Sequence, residues 1–285
     1  MNSNQDIAQK PAKRGRRLPS ADELVRFRQV SLRSHAVLAD VADELFPGIT
    51  ERGAAKILGE RLLAAGADRH MIEPRVLFGQ RGSLPAAGPW QDARPGWSTL
   101  DSTASYLLEA VPLLGGLPAP AAIVGGLIGR PEGLGSGERL LREVRAEIPK
   151  CITSGGSCRD LAQMVTALGK RRGWRDTSRP RAGWALARRL DRLPGGLSSP
   201  QAPWGGALME RSRMGYFGLR RLVPASARAC SIWSRDPAAE TPVTQGLWMI
   251  AARFARGPVG VISRDLLWID ENGPRWLNDC ALPMA

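Results

Sequence analysis

The stretch that most limits how this chain can fold is GLWMIAARFARGPVGVISRDLLWIDENGPRWL, residues 246–277. Its two apolar runs are rich in Ile, Val, Leu, Phe and Trp, residues that fit a pleated, half-buried surface. LLWID and PRWL flank Asn272-Gly273, the strongest short-range hairpin signal. The C-terminal part is therefore predicted to be antiparallel sheet. Arg253, Arg256, Arg264 and Asp265 lie inside these runs, so charge is carried into what otherwise reads as core.

Upstream the pattern turns helical. Ser20 opens S-A-D-E, an N-cap with an acid three residues on, and Leu24, Phe27, Leu38, Val41 and Leu45 follow at helical spacing. This predicts a first helix running to Pro47-Gly48. Thr50 caps a second, ERGAAKILGERLLAAG, which stops at Gly66. RVLFG (75–79) reads as a strand and 80–102 as a turn-rich loop. Strands are predicted at 106–114 and 121–128, helices at about 136–147 and 159–173, and a loop at 192–206. TSGGS (153–157) reads as a flexible connector. Helices interleave with antiparallel hairpins rather than forming a βαβ repeat, which predicts an α+β domain. Residues 20–285 are expected to form that single domain, behind a basic, disordered arm at 1–19.

Composition removes several classes. No run of about 18 uncharged apolar residues is present, so no membrane span is expected. The nearest approach, 106–129, is broken by Glu109, prolines and glycine pairs. No apolar segment follows the basic N-terminus, so no secretory signal is visible and a cytoplasmic location is expected. Cys151, Cys158, Cys230 and Cys280 are irregularly spaced, and His35 and His70 are the only histidines. That is no zinc pattern. Of the net charge of +13, the first twenty residues carry five basic groups against one acid. The rest reads as a solvated basic surface, and nucleic acid is not an expected partner.

The order of segments resembles the peptidase family of methionine aminopeptidase, Xaa-Pro aminopeptidase and prolidase, which has creatinase as a metal-free relative. ELFPGITERGAAKILGERLLAAGAD (44–68) is similar to the helix-turn-helix that opens the family's fold, and RVLFG to its next strand. EAVPLLGGLPAPAAIVGGLIG (109–129) resembles the hairpin that carries two metal-binding aspartates. LAQMVTALGKRRGW with RAGWALARR (within 161–189) resembles the helix and strand bearing a metal-binding histidine, and 246–277 the closing strands with two glutamates. The resemblance implies a pita-bread fold, a mixed and mainly antiparallel sheet flanked by helices.

It also implies where metal ligands would stand, and there this chain departs. The first aspartate's place falls on Glu109 or Ala110, the second's on Pro120, and the histidine's on Trp184. The first glutamate's place falls on Ala251, with Arg253 two residues on, and the last glutamate's on Arg264. Two hard divalent ions need several anionic oxygens at about 2–2.6 Å. An indole, a methyl group and a proline ring supply none, and a guanidinium repels the ions.

No metal and no other cofactor is therefore expected. The expected function is a metal-independent member of this group that acts on or binds a small anionic molecule in the former metal cleft. Glu109 and Arg264 are the catalytic candidates. Arg253, Trp184 and Asp265 are the candidate substrate contacts, although strand alternation points Asp265 to the opposite face. Two readings stay open beside this one: that Glu109 and Arg264 simply neutralise each other, and that the chain is a non-catalytic pseudopeptidase serving as a scaffold. A homodimer is left open. So is an out-of-frame origin for residues 193–240, which are rich in Trp, Pro, Gly and Arg.

Overall fold

The computed structural model describes residues 18–83, 94–177, 186–190, 231–232 and 242–279. Trp184, residues 1–17 of the basic arm and nearly all of 193–240 lie outside the described residues. Within them the architecture is α+β, two antiparallel sheets with helices packed on their outer faces. No helix among the described residues is long and apolar enough to cross a membrane.

Helix α1 (Ala21–Asp43) starts at Ser20, whose side chain accepts from the Glu23 backbone N–H while Glu23 returns a bond to the Ser20 N–H. Such a capping box satisfies two donors that the first helical turn leaves orphaned. At the start of α2 (Glu51–Ala64) the Thr50 hydroxyl oxygen alone caps, accepting from the Gly53 N–H. Strand β1 (Ala67–Phe78) begins eight residues before the predicted strand. It pairs with β2 (Ser105–Leu114) through three register shifts, and those irregularities hide its period from the sequence. Strands β3 (Leu117–Pro118) and β4 (Ala121–Gly126) pair with the other edge of β2 and complete the first sheet.

The second sheet runs β10-β9-β8-β6-β7, with β8 (Gly246–Arg256) and β9 (Val259–Asp270) paired along their whole length. Short strands β5 (Arg175–Asp176) and β6 (Ala187–Arg189) add to β8, and β7 (Ser231–Ile232) to β6. The hairpin to β10 (Gly273–Trp276) turns one residue earlier than Asn272-Gly273 suggests. Asp270 pairs with Gly273, so Glu271 and Asn272 form the turn and Gly273 follows at φ 101°. Only glycine takes that conformation without strain.

Helix α4 (Leu134–Thr153) is longer than predicted, buries Leu140, Val144 and Ile148 at helical spacing, and continues past Pro149. Proline has no N–H to give the carbonyl four residues back. That carbonyl belongs to Arg145, and the Trp276 indole N–H donates to it at 3.0 Å. The helix runs past its proline because a tryptophan from β10 satisfies the orphaned acceptor. Helix α5 (Cys158–Arg171) begins on a capping box of Ser157 and Asp160, so the TSGGS segment ends as a helix cap.

Alternation sorts the strands' side chains into two sets. Trp248, Ile250, Ala252 and Phe254 of β8 join Val261, Leu267 and Ile269 of β9 in a core with α4 and α5. Leu108, Ala110 and Leu114 of β2 join Val76 and Phe78 of β1 in a core with α1 and α2. The opposite phase packs between the sheets: Val111 and Leu113 of β2, Met71 of β1, Leu247 and Met249 of β8, and Leu266 and Trp268 of β9, beside Leu107 against Ile262. One four-residue helix, α3 (Gln80–Ser83), bridges the sheets at close range. A Cβ on Gly260 would fall 2.0 Å from the Gly82 carbonyl oxygen.

Two outcomes follow from this packing. Gly260→Ala should destabilise the fold by about 3 kcal/mol or more, because backbone rather than a yielding side chain fills the space. A urea titration measures it. Trp276→Phe should cost about 1–2 kcal/mol by leaving the Arg145 carbonyl without its donor, and the loss should shrink when Pro149→Ala restores an N–H.

Candidate functional site

Four charged side chains share the inter-sheet face. Glu109 is in phase with Leu107 and Val111 on β2, Arg253 with Met249 on β8, Arg264 with Ile262 and Leu266 on β9, and Arg75 with Leu77 on β1. Glu109 is 0% exposed, Arg264 2%, Arg253 3% and Arg75 7%. Burying ions is costly unless they are paired, so the pairing decides what this cluster is.

Arg264 reaches across from the second sheet to Glu109 on the first. Its Nε donates to Glu109 Oε1 at 2.6 Å, and its Nη2 donates to the same oxygen. Its Nη1 lies 3.8 Å from Met249 Sδ. Glu109 Oε2 is buried and has no hydrogen-bond partner among the described residues. Arg75 is the direct cross-strand neighbour of Glu109. Arg253 donates from Nη2 to the Gly82 carbonyl at 3.0 Å, and Thr177 holds the Arg253 backbone from the other side.

Electrostatics follows from this crowding. Burial pushes the Glu109 carboxyl toward its neutral form, but the guanidiniums of Arg264, Arg75 and Arg253 outweigh it and hold the pKa below the usual carboxylate value. Glu109 is therefore an ionised, acceptor-only group near neutral pH. Arg253 is pulled down to about 9 by burial, against the opposing pull of Glu109 and with the help of the Arg75 and Arg264 charges. It stays cationic at neutral pH, and the shift expresses chiefly the cost of burying a charge.

The residues expected to act together are thus only partly assembled. Glu109, Arg264 and Arg253 share one cluster. Asp265 does not join them. It sits on the helix side of β9, where Arg145 Nε of α4 approaches to 3.8 Å, and burial raises its pKa against the lowering effects of Arg145 and His35. One residue along a strand is the opposite face. Trp184 lies outside the described residues. Arg75 belongs to the cluster and was not singled out from the sequence. The available signal was a charge in phase with Leu77 and out of phase with Val76 and Phe78 in RVLFG.

Among the described residues no three His, Cys, Asp or Glu side chains gather where they would hold a metal ion. At the positions that the resemblance gives to metal ligands stand Ala251, directly across from Arg264 in the β8–β9 ladder, and Pro120, whose carbonyl accepts from the Ser31 hydroxyl at 3.2 Å. One carboxylate among three guanidiniums does not fit a pair of divalent cations.

The fold is the pita-bread fold of the Xaa-Pro peptidases. The chain superposes on an X-Pro aminopeptidase from Thermotoga maritima with a TM-score of 0.64 at 14% identity, covering 94% of this chain and 64% of that one. On the prolidase from Pyrococcus horikoshii the score is 0.62 at 13% identity, covering 95% and 65%. On that from Pyrococcus furiosus it is 0.62 at 14%, covering 93% and 66%. The chain thus spans less than two thirds of the length of these proteins. No protein-family model matches the sequence, and no curated protein does.

The Glu109–Arg264 pair generates a stability prediction. Arg264→Met should cost about 3–5 kcal/mol, since it strands a buried carboxylate. The pKa of Glu109 is lower in the folded chain than in the unfolded one. Its contribution is therefore complete above the ordinary carboxylate pKa and is lost as pH falls through it toward the folded value. Urea midpoints measured between about pH 6 and about pH 3 should drop, and Glu109→Gln should flatten that dependence.

Proposed function

We propose that the protein binds a small anionic molecule between its sheets without a metal ion, and that Glu109 and Arg264 set the charge of this site rather than turn over a substrate. The observation that carries this reading is one buried carboxylate held among three buried guanidiniums. A field that keeps Glu109 ionised against burial also favours a second anion brought close to it. Arginine suits such a role because its charge is permanent and its donors form a planar fork that matches carboxylates and phosphates.

A proton-shuttling role for Glu109 has less support. General acids and bases work best with a pKa near the working pH, and the guanidiniums move Glu109 away from it. The structural relatives are peptidases by name, and the donor set here argues against carrying their activity over to this chain. A second reading draws on the Glu109–Arg264 contact, which partly satisfies itself: a pseudopeptidase scaffold that recruits a partner and holds no small ligand.

Thermal shift separates the two. A panel of small carboxylates and inorganic phosphate should include an anion that raises Tm by roughly 5 °C at about a hundred times its Kd, and Arg253→Met should abolish the rise. No shift with any anion favours the scaffold. Stoichiometric manganese, cobalt or zinc in the purified protein, together with cleavage of Xaa-Pro dipeptides, would overturn both.

A further inference from the structure

Glu109 Oε2 sets this cluster apart from a simple group of buried arginines. Both guanidinium bonds from Arg264 go to Oε1, and Oε2 is left with no hydrogen-bond partner among the described residues in a side chain that is 0% exposed. A buried acceptor without a donor costs free energy that a ligand can recover by supplying the missing proton. The groups around it favour a ligand of negative charge. The two demands together describe an anion that also carries an O–H.

We propose that the site between the sheets selects a protonated tetrahedral oxoanion, hydrogen phosphate in chemical class, whose P–OH donates to Glu109 Oε2 while its other oxygens face the guanidinium cluster. The proposal rests on the anion-binding reading above and narrows it to a ligand class.

The physical contrast is with sulfate, which has nearly the same size and shape. At neutral pH sulfate has no proton to donate, so its oxygen lone pairs would confront those of an ionised carboxylate. Burial makes that confrontation expensive, because little solvent screens it. The carboxylate that weakens a generic anion site through repulsion thereby becomes its selectivity element. The lowered pKa of Glu109 supports this role, since a protonated carboxyl group would itself donate and would accept either anion.

Isothermal titration of the full-length wild-type protein with inorganic phosphate, sulfate, bicarbonate and a phosphate monoester at neutral pH tests the idea. Phosphate should bind about 10- to 100-fold more tightly than sulfate, the range expected for one buried acceptor satisfied rather than opposed. Bicarbonate, planar but O–H-bearing, should bind better than sulfate. A monoester that binds as well as inorganic phosphate would assign the site to phosphorylated metabolites, contrary to the O–H requirement, and would overturn the proposal. Glu109→Gln should bring the phosphate-to-sulfate ratio near one, because an amide offers a donor and an acceptor. If that variant does not fold, the wild-type ratio alone decides. Equal affinity for phosphate and sulfate overturns the selectivity while leaving anion binding intact, whereas no heat with any anion, together with no thermal shift, overturns the anion-binding reading as well.

Discussion

A buried ion pair ties the two sheets of this protein together. Arg264 projects from the middle of the second sheet and puts two of its donors on a carboxylate of the first. Around it, beside Arg75 and Arg253, the described residues between the sheets are largely hydrocarbon: Leu107 on Ile262, and Val111 and Leu113 with Leu266 and Trp268. Such a contact is expensive to place in a dry interior, and it holds only because both partners arrive on strands whose neighbours leave them no alternative. The alternation that packs Leu266 inward carries Arg264 inward as well.

Placing that contact organises the surroundings. Arg253, one strand over, spends a donor on the Gly82 carbonyl and so fastens α3 to the sheet that Gly260 lets it approach. Arg75 stands beside Glu109 in the first sheet. The result is an interior in which cations outnumber the single carboxylate of the cluster. Metal chemistry requires converging anionic oxygens, and the arrangement here is electrostatically its inverse. The pita-bread fold of this chain holds guanidiniums at its centre, and a fold by itself does not fix the site it hosts.

Much of the scaffold was legible along the chain. Ser20 and Thr50 announced the first two helices through side-chain oxygens that answer the orphaned N–H groups of a first turn, and the apolar runs of β8 and β9 announced sheet strands. The misreadings share a cause, compensation from distant sequence. Strand β1 starts at Ala67 because β2 tolerates its register shifts. Helix α4 continues through Pro149 because Trp276 covers the Arg145 carbonyl, and nothing near Pro149 foretells that.

The site divides along the same line. The sequence by itself carries arginines into strong apolar strands, and the resemblance implies that the ligands of a dinuclear metal centre are missing from their expected places. Which charges meet is a matter of three dimensions. Glu109 and Arg264 are 155 positions apart, Arg75 enters through a strand whose bulges obscure its phase, and Asp265, adjacent to Arg264 in the chain, is turned away by a half-period of the pleat. Local chemistry sets each residue's preference for a face, but the pairing of faces depends on how two sheets stack, and that depends on all the side chains between them at once.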